Sequence, residues 1–222
     1  MRVQVYTDFD GTVSEKDTLV HLLDKYHGAG WLEIERRVED GSLSEMEGLQ
    51  EEIALLDLPF QTALESVLEE VALDSAFVKF AHYCKERDWP LGILSGGLRP
   101  LILPMLEKAG IPELPLHCND LGFLEDGRWK VLPAESPRIR GLCNHCKSWW
   151  LQESRLPLIY IGDGTTDRCP AERADLLFAK GGLARWCEEE GLEHVPFETF
   201  DDILLWLDSL AGETWLDTLT AP

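Results

Sequence analysis

The chain opens on a short β-branched and aromatic run, Val3-Gln4-Val5-Tyr6-Thr7, which breaks off at two aspartates and a glycine. Such a run reads as a buried strand feeding a sharp loop. Over residues 18–87 the apolar spacing turns helical. Leu19, Leu22, Leu23 and Tyr26 share one face, and Trp31, Ile34, Arg37 and Val38 follow. Ser44 with Glu47 forms a candidate capping box for a helix reaching Leu56. Leu64, Val67, Leu68 and Val71 make another stripe. Asp74 or Ser75 can cap a helix carrying Phe77, Val78, Ala81 and Cys84. Strand alternation is missing throughout this stretch, so it reads as a helical insertion.

Strand signals return at Leu91-Gly92-Ile93-Leu94 and stop at Ser95-Gly96-Gly97. A helix over residues 99–109 should end at Gly110, a good left-handed terminator. Residues 114–118 form the next strand, and residues 123–131 alternate about Glu125-Asp126-Gly127 as a hairpin does. Residues 158–161 and 176–179 are apolar strands, and a short strand near Val195 precedes a last helix over residues 202–210. Strands separated by helices predict an α/β fold with a mostly parallel sheet covered on both faces. Ligands in such sheets bind beyond the carboxyl ends of the strands. The loops at Asp8, Ser95 and Gly162 should therefore converge.

Composition narrows the partners. The chain has 222 residues and a formal net charge of −21, which repels nucleic-acid backbones, so no nucleic-acid partner is expected. An anionic substrate would need local compensation from a metal, a lysine and backbone N–H groups. No apolar run approaches the ~20 residues of a membrane helix, and no signal-peptide pattern stands at the start, so a cytoplasmic protein without membrane contacts is expected. A homodimer is left open. The six cysteines do not form a disulfide framework in a chain of this length. Cys143 and Cys146 stand as Cys-x-x-Cys: half a zinc site, a redox pair or packed thiols.

Candidate chemistry begins at Asp8 and Asp10. Two carboxylates past one strand end can divide labour, one attacking phosphorus while the other moves protons. Alone, the pair is equally an acidic turn. Gly162-Asp163-Gly164-Thr165-Thr166-Asp167 follows an apolar strand and brings two more aspartates, hard oxygen ligands suited to Mg²⁺. Ser95-Gly96-Gly97 offers a hydroxyl and backbone N–H groups to a phosphate oxygen. Lys147 is the candidate to balance charge on a phosphoryl group in flight.

Together, Asp8-Phe9-Asp10-Gly11-Thr12, Ser95-Gly96-Gly97, Lys147 and Gly162-Asp163-Gly164-Thr165-Thr166-Asp167 resemble the four motifs of the haloacid-dehalogenase-like superfamily of phosphohydrolases. The resemblance implies a Rossmann-like core over residues 1–14 and 88–222, with a helical cap over residues 15–87. It implies Asp8 as nucleophile and Asp10 as acid/base. It also implies Mg²⁺ on Asp8, the Asp10 carbonyl and Asp163, with Asp167 as ligand or support, and phosphate on Ser95, Gly96 and Lys147. A small phosphomonoester is the implied substrate. Within the superfamily the chain is similar to the phosphoserine phosphatase group. It is more similar to the methionine-salvage type acting on 2-hydroxy-3-keto-5-methylthiopentenyl-1-phosphate, on the strength of Asp17 and of Cys143-Asn144-His145-Cys146-Lys147. Glu15-Lys16-Asp17 matches the cap-entry segment of phosphoserine phosphatases only in part. Phosphoserine, phosphocholine or phosphoethanolamine remain alternative substrates, and a non-catalytic phospholigand binder is the reading from another class. Selection of the leaving group is expected from Glu15, Asp17, Arg36, Arg37 and Arg99.

Overall fold

A computed structural model describes residues 2–111, 114–125, 127–134, 147–151 and 155–219. The strands β1 (Gln4–Thr7), β2 (Leu91–Leu98), β3 (Leu116–Phe123), β4 (Trp129–Leu132), β5 (Leu158–Gly162), β6 (Leu176–Ala179) and β7 (Val195–Pro196) form one sheet in the order β4-β3-β2-β1-β5-β6-β7. All neighbours run parallel except β3 and β4, which pair as the expected hairpin with Phe123 opposite Trp129. The order runs outward from β1 in both directions. The crevice where it reverses, between β1 and β5, is where an open α/β sheet places its ligand. Every residue of β5 and of β6 is buried, as apolar runs covered on both faces should be.

The inserted segment folds as α1 (Thr18–Tyr26), α2 (Leu32–Glu39), α3 (Glu45–Ala54) and α4 (Phe60–Glu70). The capping box of Ser44 and Glu47 starts α3 as its residues predict. Asp17 starts α1, its Oδ1 accepting from Leu19 N and Val20 N at 2.8 and 2.9 Å. The segment hangs from the sheet by two chain passages lying side by side. Ser14 bridges Leu73 in antiparallel fashion, Glu15 N donates to Ala72 O at 2.9 Å, and Asp74 N donates to Val13 O at 2.8 Å.

The crossing lies at residues 14 and 73, ahead of the boundary expected at residue 87. The next helix, α5 (Phe77–Glu86), packs on the sheet side against β2 and against α10 (Phe200–Leu207). Phe77 and Phe80 both meet the Phe200 ring, at 5.0 and 5.1 Å between centroids, and Asp74 Oδ2 accepts from Phe200 N. Helical periodicity ran on through α5 without marking this return to the core.

Further along lie α6 (Arg99–Lys108), α7 (Lys147–Trp150), α8 (Arg168–Ala171), α9 (Gly181–Glu190) and α11 (Leu210–Thr218). The spacing did not predict α9 or α11. Only Leu183 and Cys187 of α9 and Gly212 of α11 are buried, so neither carries a wide apolar stripe. The inserted helices also touch the hairpin. Gln50 of α3 takes the place of a strand neighbour on the free edge of β4: Val131 N donates to its Oε1 at 2.9 Å, and its Nε2 donates to Trp129 O at 3.4 Å. Phe60 packs edge-on against Phe123 and Trp129 beside it.

Candidate active site

Asp8 leaves β1 still in register, its N–H donating to Ile161 O of β5 at 2.9 Å. The chain then curls tightly: the Phe9 carbonyl accepts from Val13 N at 2.8 Å and Ser14 N at 2.9 Å. Gly11 makes the curl at φ +75°, a conformation that costs other residues, and a side chain there would strike Asp163. This loop brings Asp8 and Asp10 to the sheet's carboxyl edge in different surroundings.

Asp8 is buried against Lys147, whose Nζ donates to its Oδ1 at 2.6 Å and to Asp167 Oδ1 at 2.7 Å. Lys147 is 2% exposed. Burial alone would lower its pKa, but the carboxylates of Asp167 and Asp8 outweigh that and hold it raised and charged. Burial pushes the Asp8 carboxyl well up, Asp167 adds to the effect and Lys147 opposes it.

Asp167 has no acceptor capacity left. Its Oδ1 takes Lys147 and the Tyr160 hydroxyl (2.6 Å), and its Oδ2 takes Asp163 N (3.1 Å) and Gly164 N (3.0 Å). A carboxylate offers about four acceptor positions. Asp167 therefore shapes the Asp163 loop and anchors the lysine. Asp163 binds the Thr12 hydroxyl through Oδ1 at 2.9 Å, and burial followed by Asp167 raises its pKa.

Oxygens of Asp8, Asp163 and Asp167 lie within 4.8 Å of one another. Three carboxylates against one ammonium leave two negative charges in a buried space, the charge a divalent cation brings. Hard oxygen donors suit Mg²⁺. The donor set thus fits that ion, and Asp8 and Asp163 are the carboxylates with capacity to spare. The Asp10 side chain faces elsewhere, which leaves its carbonyl as the group the resemblance assigns to metal.

Asp10 Oδ1 accepts twice from Thr18, from N and from Oγ1, each at 2.8 Å. Its Oδ2 lies 3.3 Å from the donating Ser95 hydroxyl. Burial raises the Asp10 pKa, and the Thr18 bonds counter it in part. Since Oδ1 is taken, a proton on this group sits on Oδ2, towards Ser95.

Ser95, Gly96 and Gly97 do not form the post-strand turn expected from the sequence. They belong to β2, which runs on to Leu98, and α6 begins only at Arg99. Ser95 is fully buried, and Gly97 N donates to its Oγ at 2.9 Å. A Cβ on Gly97 would overlap Asp10 Oδ2.

The expected selectors are spread out. Asp17 is an exposed residue whose carboxyl is tucked under the start of α1, and desolvation there, then Asp10, raise it to about 7. Beside it opens a cleft of about 540 Å³, whose lining includes Lys16, His21, Asp24 and Glu70. Glu15 is exposed at the crossing. Arg36 is exposed on α2 and pairs with Glu33, so this structure does not bring it to the aspartates. Arg37 pairs with Glu51 at 2.7 Å, and Arg99 donates to Leu116 O at 2.9 Å. Cys143 and Cys146 lie outside the described residues. Sequence reasoning missed Thr18, Tyr160 and Thr12 as holders of Asp10, Asp167 and Asp163. Thr18 stands eight residues from Asp10, Tyr160 seven from Asp167 and Thr12 151 from Asp163, so no local spacing marked these pairs.

Comparison with known proteins agrees with this geometry. The chain is 32% identical over 212 residues to a 2-hydroxy-3-keto-5-methylthiopentenyl-1-phosphate phosphatase of Exiguobacterium, covering 93% of this chain and 98% of that one. It is 31% identical over 217 residues to Pdp3-interacting factor 1 of Schizosaccharomyces pombe, covering 91% and 93%. Among solved structures it superposes on a phospho-aspartyl intermediate analogue of phosphoserine phosphatase with a TM-score of 0.70 at 20% identity, over 92% of this chain and 98% of that one. Residues 5–172, which hold all four motifs, match the haloacid dehalogenase-like hydrolases, and the chain belongs to that family.

Proposed function

We propose that this protein is a Mg²⁺-dependent phosphomonoesterase working through an aspartyl-phosphate. The observation that carries the proposal is the separation of two neighbouring aspartates, Asp8 on the Lys147 ammonium and Asp10 on Thr18 and Ser95. The ammonium opposes the rise that burial imposes on Asp8 and favours its ionised form, while Asp10 has an Oδ2 edge that can carry a proton.

Asp8 attacks phosphorus through a carboxylate oxygen, forming one P–O bond as the ester P–O bond breaks. Asp10 delivers the Oδ2 proton to the leaving oxygen, then takes a proton from the water that hydrolyses the acyl phosphate. Lys147 balances charge on the phosphoryl oxygens, and the Ser95 hydroxyl with the Gly97 N–H provides donors beside Asp10. Held by Asp8, the Asp10 carbonyl and Asp163, Mg²⁺ would neutralise the carboxylates and polarise the phosphoryl group. The inserted helices cover the leaving-group side, where Glu15 and Asp17 stand at the entry.

For the substrate we propose 2-hydroxy-3-keto-5-methylthiopentenyl-1-phosphate. Support comes from a relative with that activity in its name, aligned over nearly the whole chain. The test is phosphate release with Mg²⁺ from that ester, phosphoserine, phosphocholine and phosphoethanolamine, by wild type and Asp8→Asn. The methylthiopentenyl ester should give the highest kcat/KM, and Asp8→Asn should lose activity at least a thousandfold while keeping its circular dichroism. A better rate on phosphoserine refutes the substrate, an active Asp8→Asn refutes the nucleophile, and no turnover at all favours a phospholigand-binding protein.

A further inference from the structure

Strands β2 and β3 lose register beside the active site. Leu94 stands opposite His117, but the next pair is Leu98 with Asn119. Four steps along β2 are thus matched by two along β3, and Ser95, Gly96 and Gly97 bulge out of the ladder. A bulge leaves backbone groups without strand partners, and buried ones must find others.

Asn119 supplies one. It is fully buried, and its Nδ2 donates to the Gly96 carbonyl at 2.7 Å. The Gly96–Gly97 peptide is trans, since the described residues contain no cis bond. In a trans peptide the C=O and N–H point in opposite directions. Holding the Gly96 carbonyl towards Asn119 therefore turns the Gly97 N–H the other way, onto Ser95 Oγ at 2.9 Å and towards the Asp10 side. The other end of the Asn119 amide accepts from Ala134 N at 3.0 Å, just beyond β4. One side chain thus joins the bulge to the exit of the hairpin.

We propose that Asn119 is a positioning residue for phosphate binding. It fixes the orientation of the Gly96–Gly97 peptide, so that the Gly97 N–H braces the Ser95 hydroxyl on the Asp10 side, where both can turn to phosphoryl oxygens when phosphate binds. This rests on the phosphomonoesterase reading. A purely structural asparagine would cost stability when replaced and leave phosphate affinity alone.

The test is Asn119→Asp in the full chain with Mg²⁺. The variant keeps the shape and the acceptor for Ala134 N but loses the donor to Gly96. Measured are orthophosphate affinity by calorimetry, kcat and KM on para-nitrophenyl phosphate from pH 5 to 8, Mg²⁺ half-saturation, and thermal unfolding. At pH 7.5 phosphate affinity and kcat should each fall at least tenfold, with Mg²⁺ half-saturation within twofold of wild type. The deficit should shrink towards pH 5, where the introduced carboxyl gains a proton it can donate to Gly96 O. A folded variant within twofold of wild type on phosphate affinity and kcat overturns the assignment. So does a deficit that follows melting temperature and ignores pH. If this variant does not fold, Asn119→Ser, too short to reach Gly96 O, goes through the phosphate and Mg²⁺ measurements with the same two thresholds. Wild type that neither binds phosphate nor hydrolyses any ester overturns the phosphatase reading and this one together. An active wild type with an indifferent variant overturns this one alone.

Discussion

Glu52 gives the inserted helices a pH-dependent stability that can be measured without any substrate. It lies on α3, 7% exposed, hydrogen-bonded to Glu35 of α2. Burial first, then Glu35, raises its carboxyl from 4.5 to about 8. Between those values the fold retains a proton that the unfolded chain has released. Stability therefore falls as pH rises through this window. At roughly 1.4 kcal/mol per pH unit, and with pH 7 about 2.5 units above the unfolded value, the retained proton costs about 3 kcal/mol there. Near pH 5 the cost is under about 1 kcal/mol by the same arithmetic. Glu52→Gln keeps the shape and a donor for Glu35, and is neutral in both states. The variant should match wild type closely at pH 5 and exceed it by about 2–4 kcal/mol at pH 7.5. For a chain of this size that is a rise of roughly 6–12 °C in melting temperature. Asp17, raised to about 7, contributes in the same direction in both proteins, and its charge is the least of the causes that raise Glu52, so most of its effect is shared. Urea and thermal unfolding at the two pH values test the point. An offset between the proteins that is the same at both would refute the reasoning.

Two further outcomes follow from named contacts. Gln50→Ala removes the acceptor of the Val131 N–H, so amide exchange at Val131 should speed up at least tenfold while β1 and β5 amides stay protected. Unchanged exchange there would mean that α3 does not hold the hairpin edge. Gly97→Ala puts a methyl group into Asp10 Oδ2. Strain of this kind costs about 1–3 kcal/mol; kcat should fall at least a hundredfold with Mg²⁺ half-saturation nearly unchanged, and full activity would show that Asp10 is not so confined.

The convergence of Asp8 and Asp163 was legible in the sequence because both lie at the ends of apolar strands, and strand ends in a parallel sheet share an edge. The α/β order with its helical insertion was readable from the change of period. The failures have a common cause. A period of 3.6 says that α5 is a helix but not which layer it joins, and its packing on β2 and α10 left no mark in the spacing. The strand-like run at Leu91 looked finished at Ser95, because a bulge held by a distant asparagine leaves no local mark. Arg36 carries a suitable charge, yet its helix faces it outwards to Glu33. Long-range partners such as Tyr160 with Asp167 become visible only once β5 and its loop are folded together.

The paired passages at Ser14 and Leu73 look like a natural place to cut and exchange the inserted helices between relatives, since entry and exit lie side by side. Thr18 lies beyond that cut and holds both hydrogen bonds to Asp10 Oδ1. A graft made at the crossing would therefore exchange the anchor of Asp10, the proton donor proposed above, along with the helices proposed to read the substrate. On that proposal a new leaving-group preference can be inherited as a module only if the module's first helix begins with the same hydroxyl at the same place, which tethers the inserted segment to the chemistry at its first turn.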